Sequence, residues 1–128
     1  MAKALALDHV VLVVGDVERT MAWYRRHAGL GGVRVEEWRR GEAPFPSLRI
    51  DESTIIDLVP SGADDADGRG HLDHICFVVA PDELESLAAD PELEIMDRGP
   101  RSGARGLGES IYVRDPDDLL VEFRCYRD

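Results

Sequence analysis

Two stretches of the chain are near copies of each other: "LDHVVLVVGDVERT" at residues 7–20 and "LDHICFVVAPDELES" at residues 72–86. In both, Leu-Asp-His precedes an apolar run rich in valine or isoleucine, which is typical of a buried strand. A helix-start signal follows each run, Asp16 in the first stretch and Pro81 in the second. The repetition predicts that one supersecondary unit is built twice.

The remaining sequence extends this plan in both halves. The first half is predicted to form a helix that ends at Gly29, followed by three strands at 33–38, 46–50 and 53–59. The second half is predicted to form a helix, a strand at 93–97, a glycine-rich loop at 98–108, and strands at 109–114 and 119–126. Each half is therefore β-α-β-β-β. We expect a single domain over 1–128, made of module one (4–59), a linker (60–70) and module two (71–127).

Composition narrows the classes of partner. The chain has 128 residues and a formal net charge of −11, which disfavours binding to nucleic acid or to an anionic membrane. No apolar run reaches the roughly 20 residues that a membrane span needs. The beginning, "MAKALALDHV", lacks a secretory signal pattern, and the two cysteines show no CxxC spacing. These features predict a cytoplasmic protein with reduced cysteines.

Four polar residues recur in register within the apolar strands. His9 and His74 are 65 residues apart, and Asp57 and Glu122 are also 65 residues apart. Each half therefore opens with a histidine and closes with an acid. A carboxylate buried in such a run is costly unless it is paired or binds a metal.

Neutral imidazole and carboxylate together suit one divalent metal ion, either Fe, Mn, Ni, Co or Zn. Two other interpretations stay open from the residues alone. The histidines can be hydrogen-bonded core residues, and each acid can belong to a structural ion pair.

The opening "LDHVVLVVGDVERTMAWYRRHAGL" (7–30) and the ending "SIYVRDPDDLLVEFRCY" (110–126) resemble the vicinal oxygen chelate superfamily. This group includes glyoxalase I, extradiol dioxygenases, fosfomycin-resistance transferases, methylmalonyl-CoA epimerase and bleomycin-binding proteins. The resemblance covers essentially the whole chain and is most specific at "RDPDD" between two strands. It implies an α+β fold in which two βαβββ modules form a curled mixed-sheet half-barrel around a metal ion.

The resemblance also implies roles for the four polar residues. It assigns His9, His74 and Glu122 as metal ligands, and it places Asp57 where glyoxalase-like members have a fourth ligand, commonly glutamate. Aspartate is one methylene shorter than glutamate. Direct ligation by Asp57, binding through water, and a role as catalytic base therefore all stay open.

Four further residues are candidates for substrate binding. Arg101 and Arg105 lie in the glycine-rich loop 98–108, which can fold over a pocket and bind a carboxylate or another anionic group. A surface hairpin is the alternative for this segment. Arg124 and Cys76 alternate with the proposed ligands along their strands, so they either line the site or pack in the core.

The expected function is a metal-dependent enzyme acting on a small substrate with vicinal oxygens, by bidentate chelation to the metal. It would be a glyoxalase-like lyase or isomerase, or an extradiol-type dioxygenase. The alternative is a bleomycin-resistance-type binding protein that sequesters a small ligand, and the acidity of the chain is compatible with a cationic one. A fosfomycin-type transferase shares the three ligand positions. Relatives are usually dimers, so a homodimer is expected by analogy.

Overall fold

The computed structural model describes residues 5–61, 72 and 74–127. The chain divides into two compact units, residues 1–68 and 69–128. Within the described residues each unit holds a four-stranded mixed sheet, with two helices in the first unit and one in the second. Most of the predicted linker, residues 62–70, lies outside the described part. No helix of that part is long and apolar enough to cross a membrane.

The first unit follows the predicted plan with one added helix. Its sheet has the order β1-β4-β3-β2, in which β1 runs parallel to β4 and the other pairs are antiparallel. The elements are β1 (His9–Val14), α1 (Val17–Ala28), β2 (Gly31–Val33), α2 (Val35–Arg39), β3 (Ser47–Arg49) and β4 (Ile55–Pro60).

The second unit repeats this topology. Its sheet has the order β5-β8-β7-β6, with β5 parallel to β8 and antiparallel pairing elsewhere. The elements are β5 (His74–Val78), α3 (Pro81–Ala88), β6 (Asp97–Gly103), β7 (Gly106–Arg114) and β8 (Leu120–Cys125). The prediction of two α+β modules is confirmed, and neither sheet closes into a barrel within the described residues.

Helix α1 begins and ends at the predicted residues. The Asp16 carboxylate accepts a hydrogen bond from the backbone N–H of Arg19 at 3.0 Å, which caps the helix. Gly29 adopts a left-handed conformation with φ of 67°, and its N–H donates to the Arg25 carbonyl. Buried side chains along one stripe, including Tyr24, hold the helix against β2 and β4.

Each sheet has one packed face and one open face, because strand side chains alternate. In β1, Leu12 and Val14 are buried, whereas Val11 and Val13 are half exposed. The packed face of the second sheet is built from fully buried apolar residues: Ile111, Val113, Val121 and Phe123. The predicted histidines and acids lie on the faces opposite these apolar residues, and on those faces Asp57 and Glu122 are buried.

The predicted strand at 33–38 is wrong beyond Val33. Arg34 adopts φ of 57°, which breaks the extended backbone, and residues 35–39 form the short helix α2. The Trp38 N–H donates to the Arg34 carbonyl at 2.9 Å. Acidic residues in the first turn of α2 favour this helix electrostatically. The sequence pattern "VRVEEW" is typical of a strand, so it does not identify these residues as a helix signal.

Of the two interpretations left open for 98–108, the hairpin is the one observed, because this segment forms the hairpin of β6 and β7. The turn occupies residues 104–105, and Gly103 pairs with Gly106, whose φ is 100°. Pro100 is tolerated because β6 is an edge strand, where a missing N–H breaks no ladder. Of the strand predicted at 93–97, only Asp97 belongs to a strand.

Candidate functional site

The open face of the second sheet brings His74 and Glu122 together. Strand β5 runs beside β8 with Cys76 directly opposite Glu122, so His74 emerges on the same face. The His74 Nε2 lies 3.3 Å from the Glu122 Oε1. The imidazole is partly exposed, whereas the carboxylate is almost fully buried. The histidine is therefore accessible from outside, and the acid supports it from within.

The second oxygen of Glu122 is held by neighbouring side chains. The Ser110 hydroxyl donates to Oε2 at 2.6 Å, and Nη1 of Arg124 donates to the same atom at 3.2 Å. Both donors are buried, which makes these charge-assisted bonds strong. They direct the other oxygen, Oε1, towards His74.

The first unit holds Asp57 in a similar way. Ser47 lies opposite Asp57 on the adjacent strand and donates its hydroxyl to the Asp57 Oδ1 at 2.6 Å. Nη2 of Arg34 donates to the Ser47 hydroxyl at 2.8 Å and lies 3.8 Å from the same carboxylate oxygen. Both predicted acids are thus buried, and each accepts a hydrogen bond from a serine on the adjacent antiparallel strand.

His9 begins β1 and is exposed, with Nδ1 donating to the Asp8 Oδ2 at 2.8 Å. This hydrogen bond is the main cause that raises the pKa of His9; desolvation opposes it, and the charge of Asp57 adds to it. A carboxylate bound to Nδ1 fixes the imidazole tautomer, so that Nε2 is the atom presented to a ligand or metal.

Two groups beside Glu122 have raised pKa values. Desolvation raises the pKa of the Cys76 thiol to about 12, and the Glu122 charge adds to the effect. Although Cys76 borders the open face, neighbouring atoms crowd its sulfur. Desolvation also raises the pKa of Tyr112, which lies opposite Glu122 and meets the His74 ring edge-on at 6.2 Å.

The three arginines predicted to bind substrate lie in different places: Arg101 in β6, Arg105 in the hairpin turn and Arg124 in β8. Arg101 pairs with Asp97 at 2.6 Å and lies over the Tyr112 ring at 5.6 Å. Arg105, in the turn, stacks over the Tyr126 ring at 4.2 Å. Arg101 thus borders the His74–Glu122 face, and Arg105 lies at the end of the hairpin. Arg124 is buried beneath it.

One protein-family model matches most of the chain. The model of the Glyoxalase/Bleomycin resistance protein/Dioxygenase superfamily matches residues 6–123. The chain belongs to this superfamily. The match confirms the family resemblance drawn from the repeated Leu-Asp-His stretches and from the "RDPDD" ending.

Three known proteins are similar to this chain over more than nine-tenths of its length. The virulence protein STM3117 of Salmonella typhimurium is 29% identical over 94% of this chain and 83% of its own length. The glyoxalase domain-containing protein RDO1 of Mycosarcoma maydis is 30% identical, over 96% of this chain and 69% of its own. The solved integron cassette protein VCH_CASS1 of V. cholerae is 27% identical, with a TM-score of 0.79 and 99% of both chains covered.

Superfamily members commonly use a divalent metal, and the donors of the second unit fit one. Two ligand atoms about 2.1 Å from one ion lie about 3.0–3.4 Å apart, which matches the distance between His74 Nε2 and Glu122 Oε1. An imidazole with a carboxylate is a suitable donor set for Fe, Mn, Co, Ni or Zn. Across residues 5–61, 72 and 74–127, no group of three or more such side chains is clustered. The described residues therefore show a histidine–carboxylate donor pair, and not a complete cluster of metal ligands.

Sequence reasoning missed Ser47, Ser110 and Tyr112, which surround the two acids. Ser47 and Tyr112 lie directly opposite Asp57 and Glu122, and Ser110 is one strand step further along the same face. Their spacing along the chain shows no motif. Only the strand register, with alternation applied on both strands, identifies them.

Proposed function

We propose that the chain is a metal-dependent enzyme that acts on a small substrate with two adjacent oxygen atoms. The observation that supports this most strongly is the His74–Glu122 pair, whose donor atoms lie 3.3 Å apart on an open sheet face. The buried Glu122 carboxylate has one oxygen held by two donors and the other beside an imidazole. Hydrogen bonds of this kind orient the ligands of metal sites.

We assign three residues as the ligands: His9, His74 and Glu122. The assignment of His9 is supported by the 65-residue repeat, the family membership and the orienting bond from Asp8. A bound divalent ion would supply Lewis-acid polarisation of two adjacent substrate oxygens. Ser110 would keep Glu122 in the rotamer that faces His74.

Asp57 is the proposed proton-transfer group. It is shorter than the glutamate common at this place, and its Oδ1 is already bound by Ser47 at 2.6 Å. A carboxylate held in this way can accept a proton from the carbon or oxygen of a bound substrate. Ligation of the metal by Asp57 is the competing assignment, and the two differ in their effect on metal content.

We further propose that Cys76 and Arg101 contact the substrate, since both border the His74–Glu122 face. Arg105 is placed to contact only an extended substrate that reaches the hairpin turn. Arg124 is 4% exposed and contacts protein groups, so its role is exerted through Glu122 instead of through a substrate. We also propose a homodimer, because superfamily members commonly form dimers. Light scattering measures the molar mass that tests this.

The second candidate is a binding protein of the bleomycin-resistance type. The net charge of −11 and the half-exposed valines of β1 suit a cationic ligand with apolar parts. Such a protein needs no metal. Metal content therefore separates the two candidates.

The deciding experiment is elemental analysis of protein purified without a chelator and without a metal-affinity column. The enzyme proposal predicts near-stoichiometric Fe, Mn, Ni, Co or Zn, lost in His9→Ala and Glu122→Ala. The matched control is Glu109→Gln, because Glu109 lies on the neighbouring strand but on the opposite face from Ser110. Absence of metal, together with no uptake on reconstitution, would leave the binding-protein candidate.

The identity of the bound metal then indicates the reaction. Iron that requires dioxygen for turnover of a catechol would support the extradiol-type dioxygenase, since two histidines and one carboxylate suit Fe(II) and O₂. Nickel, cobalt or zinc without an oxygen requirement would support the glyoxalase-like lyase or isomerase. Screening with 2-oxoaldehyde–thiol adducts and with catechols would distinguish these outcomes.

A further inference from the structure

Arg124 is a buried cation whose contacts reach two distant parts of the second unit. It is 4% exposed and lies on β8, two residues after Glu122 and on the same face. On one side Nη1 donates to the Glu122 Oε2 at 3.2 Å. On the other side the guanidinium meets the hairpin tip, defined here as residues 101–106. The side chain thus lies between the carboxylate and the hairpin.

The hairpin side of this contact consists of backbone carbonyls. Nη1 donates to the carbonyl of Ser102 at 3.1 Å, and Nη2 donates to those of Arg101 at 2.6 Å and Gly106 at 3.4 Å. These carbonyls come from both sides of the turn. Only a planar guanidinium spreads its donors widely enough to reach them and Glu122 together; a lysine ammonium does not.

Glycines in the hairpin make room for the guanidinium. A Cβ at Gly103 would lie 2.4 Å from the Arg124 Cζ and 2.6 Å from the Tyr126 hydroxyl. A Cβ at Gly108 would lie 2.7 Å from the Cys125 carbonyl oxygen and 2.9 Å from the Arg124 Nη2. The glycine content that suggested a loop is explained by this close approach of hairpin backbone to a buried side chain.

Burying Arg124 lowers the stability of the fold in a way that an apolar side chain at this position would not. The Arg124 Nε is buried and has no hydrogen-bond partner among the described residues. An unsatisfied buried donor lowers stability, whereas an apolar side chain stacked on Tyr126 would not carry this penalty. The first unit differs, because there the cation beside the acid is the half-exposed Arg34.

We propose that Arg124 is a positioning residue that couples the conformation of the hairpin tip to that of the Glu122 carboxylate. Displacing the tip removes the carbonyls that hold the guanidinium, and this weakens its bond to the Glu122 Oε2, which the Ser110 hydroxyl alone then holds. Neutralising Glu122 in turn removes the anchor that draws Arg124 against the tip. A ligand that moves the hairpin therefore acts on the carboxylate through this one side chain. The effect on a metal rests on the proposed function, but the coupling itself does not.

The test is hydrogen exchange of the full chain without added metal, read on peptides that cover the hairpin tip. Arg124→Lys keeps the charge but loses the carbonyl contacts, so the tip amides should exchange at least about tenfold faster. Glu122→Gln changes a residue that forms no hydrogen bond with the tip among the described residues, and it should also speed tip exchange, by about threefold or more. Ser110→Ala is the matched control, since it removes the other donor to the same oxygen and should leave the tip within about twofold of wild type.

Gly103→Ala perturbs the contact between Arg124 and the hairpin tip from the side of the tip. Nitrogen-detected NMR reports how fast an arginine guanidinium rotates. In wild type the hydrogen bonds of Arg124 should slow this rotation, so that its two Nη atoms give separate resonances. These should be lost in both Gly103→Ala and Glu122→Gln. This reading also decides the question if Arg124→Lys does not fold.

Two results would overturn the coupling: wild-type exchange at the tip in Glu122→Gln, or an equal rise in exchange over the tip in Ser110→Ala. Persistence of the separate Nη resonances in Gly103→Ala would overturn it as well. Because every reading is made on metal-free protein, a failure of the metal assignment leaves these outcomes unaffected, and the two proposals fail separately.

Discussion

At the scale of single residues, the site depends on hydroxyl groups that spacing along the chain does not reveal. The histidines and acids could be predicted, because they interrupt apolar strands at a common 65-residue offset. Ser47 and Ser110 could not, because a serine in a strand carries no signal until the partner strand and its register are known. Each donates at 2.6 Å to the acid that the sequence did identify.

Ser110→Ala should weaken divalent metal binding by about tenfold, because residues that orient a ligand contribute about 10–100-fold in affinity. The Glu122 Oε2 would keep only its bond from Arg124, and Oε1 would sample positions away from His74. Titration calorimetry with Mn²⁺ or Zn²⁺ measures this. The control is Ser86→Ala, because the Ser86 hydroxyl lies on the exposed side of α3 and donates to the Asp82 backbone carbonyl. Unchanged affinity in Ser110→Ala would contradict an orienting role.

Asp57→Asn should leave metal content near the wild-type level but lower turnover by about 10²–10⁴-fold, which is the usual contribution of a general acid or base. Asparagine keeps the size of the side chain and can still accept a bond from Ser47. Elemental analysis and steady-state kinetics on the substrate identified by screening give both numbers. Loss of the metal in Asp57→Asn would instead make Asp57 a ligand.

At the scale of elements, prediction succeeded where local signals agreed with the tertiary structure. Helix α1 has a capping aspartate, a buried stripe and a terminal glycine, and the structure uses all three. The segment after Val33 failed because one left-handed residue, Arg34, turns the chain from strand to helix. The sequence left a loop and a hairpin both open for 98–108, because the glycines there serve close packing against Arg124, a contact between residues far apart in the sequence.

Gly29→Ala should reduce the free energy of unfolding by about 1 kcal/mol, because alanine is strained at φ of 67°. No atom lies within 4 Å of a Cβ built there, so the effect measures backbone conformation alone. Gly31→Ala is the matched control: it is nearby, equally uncrowded and not at positive φ. Urea unfolding should show no loss for this control. Equal losses for both would contradict the cap assignment.

At the scale of the whole molecule, the two units repeat one design with unequal details. Each places a histidine at the start of an edge strand and an acid with a serine partner on the adjacent central strand. The acid of the second unit is longer and is clamped by a fully buried arginine, whereas that of the first is shorter and meets a half-exposed one. We infer that the two acids of the repeat have diverged, Glu122 into a proposed metal ligand and Asp57 into the proposed proton-transfer group.

The most direct test of this account is the stoichiometry of metal binding, measured by equilibrium dialysis on wild type, His9→Ala and His74→Ala. We predict one divalent ion per chain in wild type and none retained in either variant, because we propose both histidines as ligands of one ion. Two ions per chain, with one lost in each variant, would show separate sites in the two units. That result, or no binding in wild type, would contradict the shared metal site.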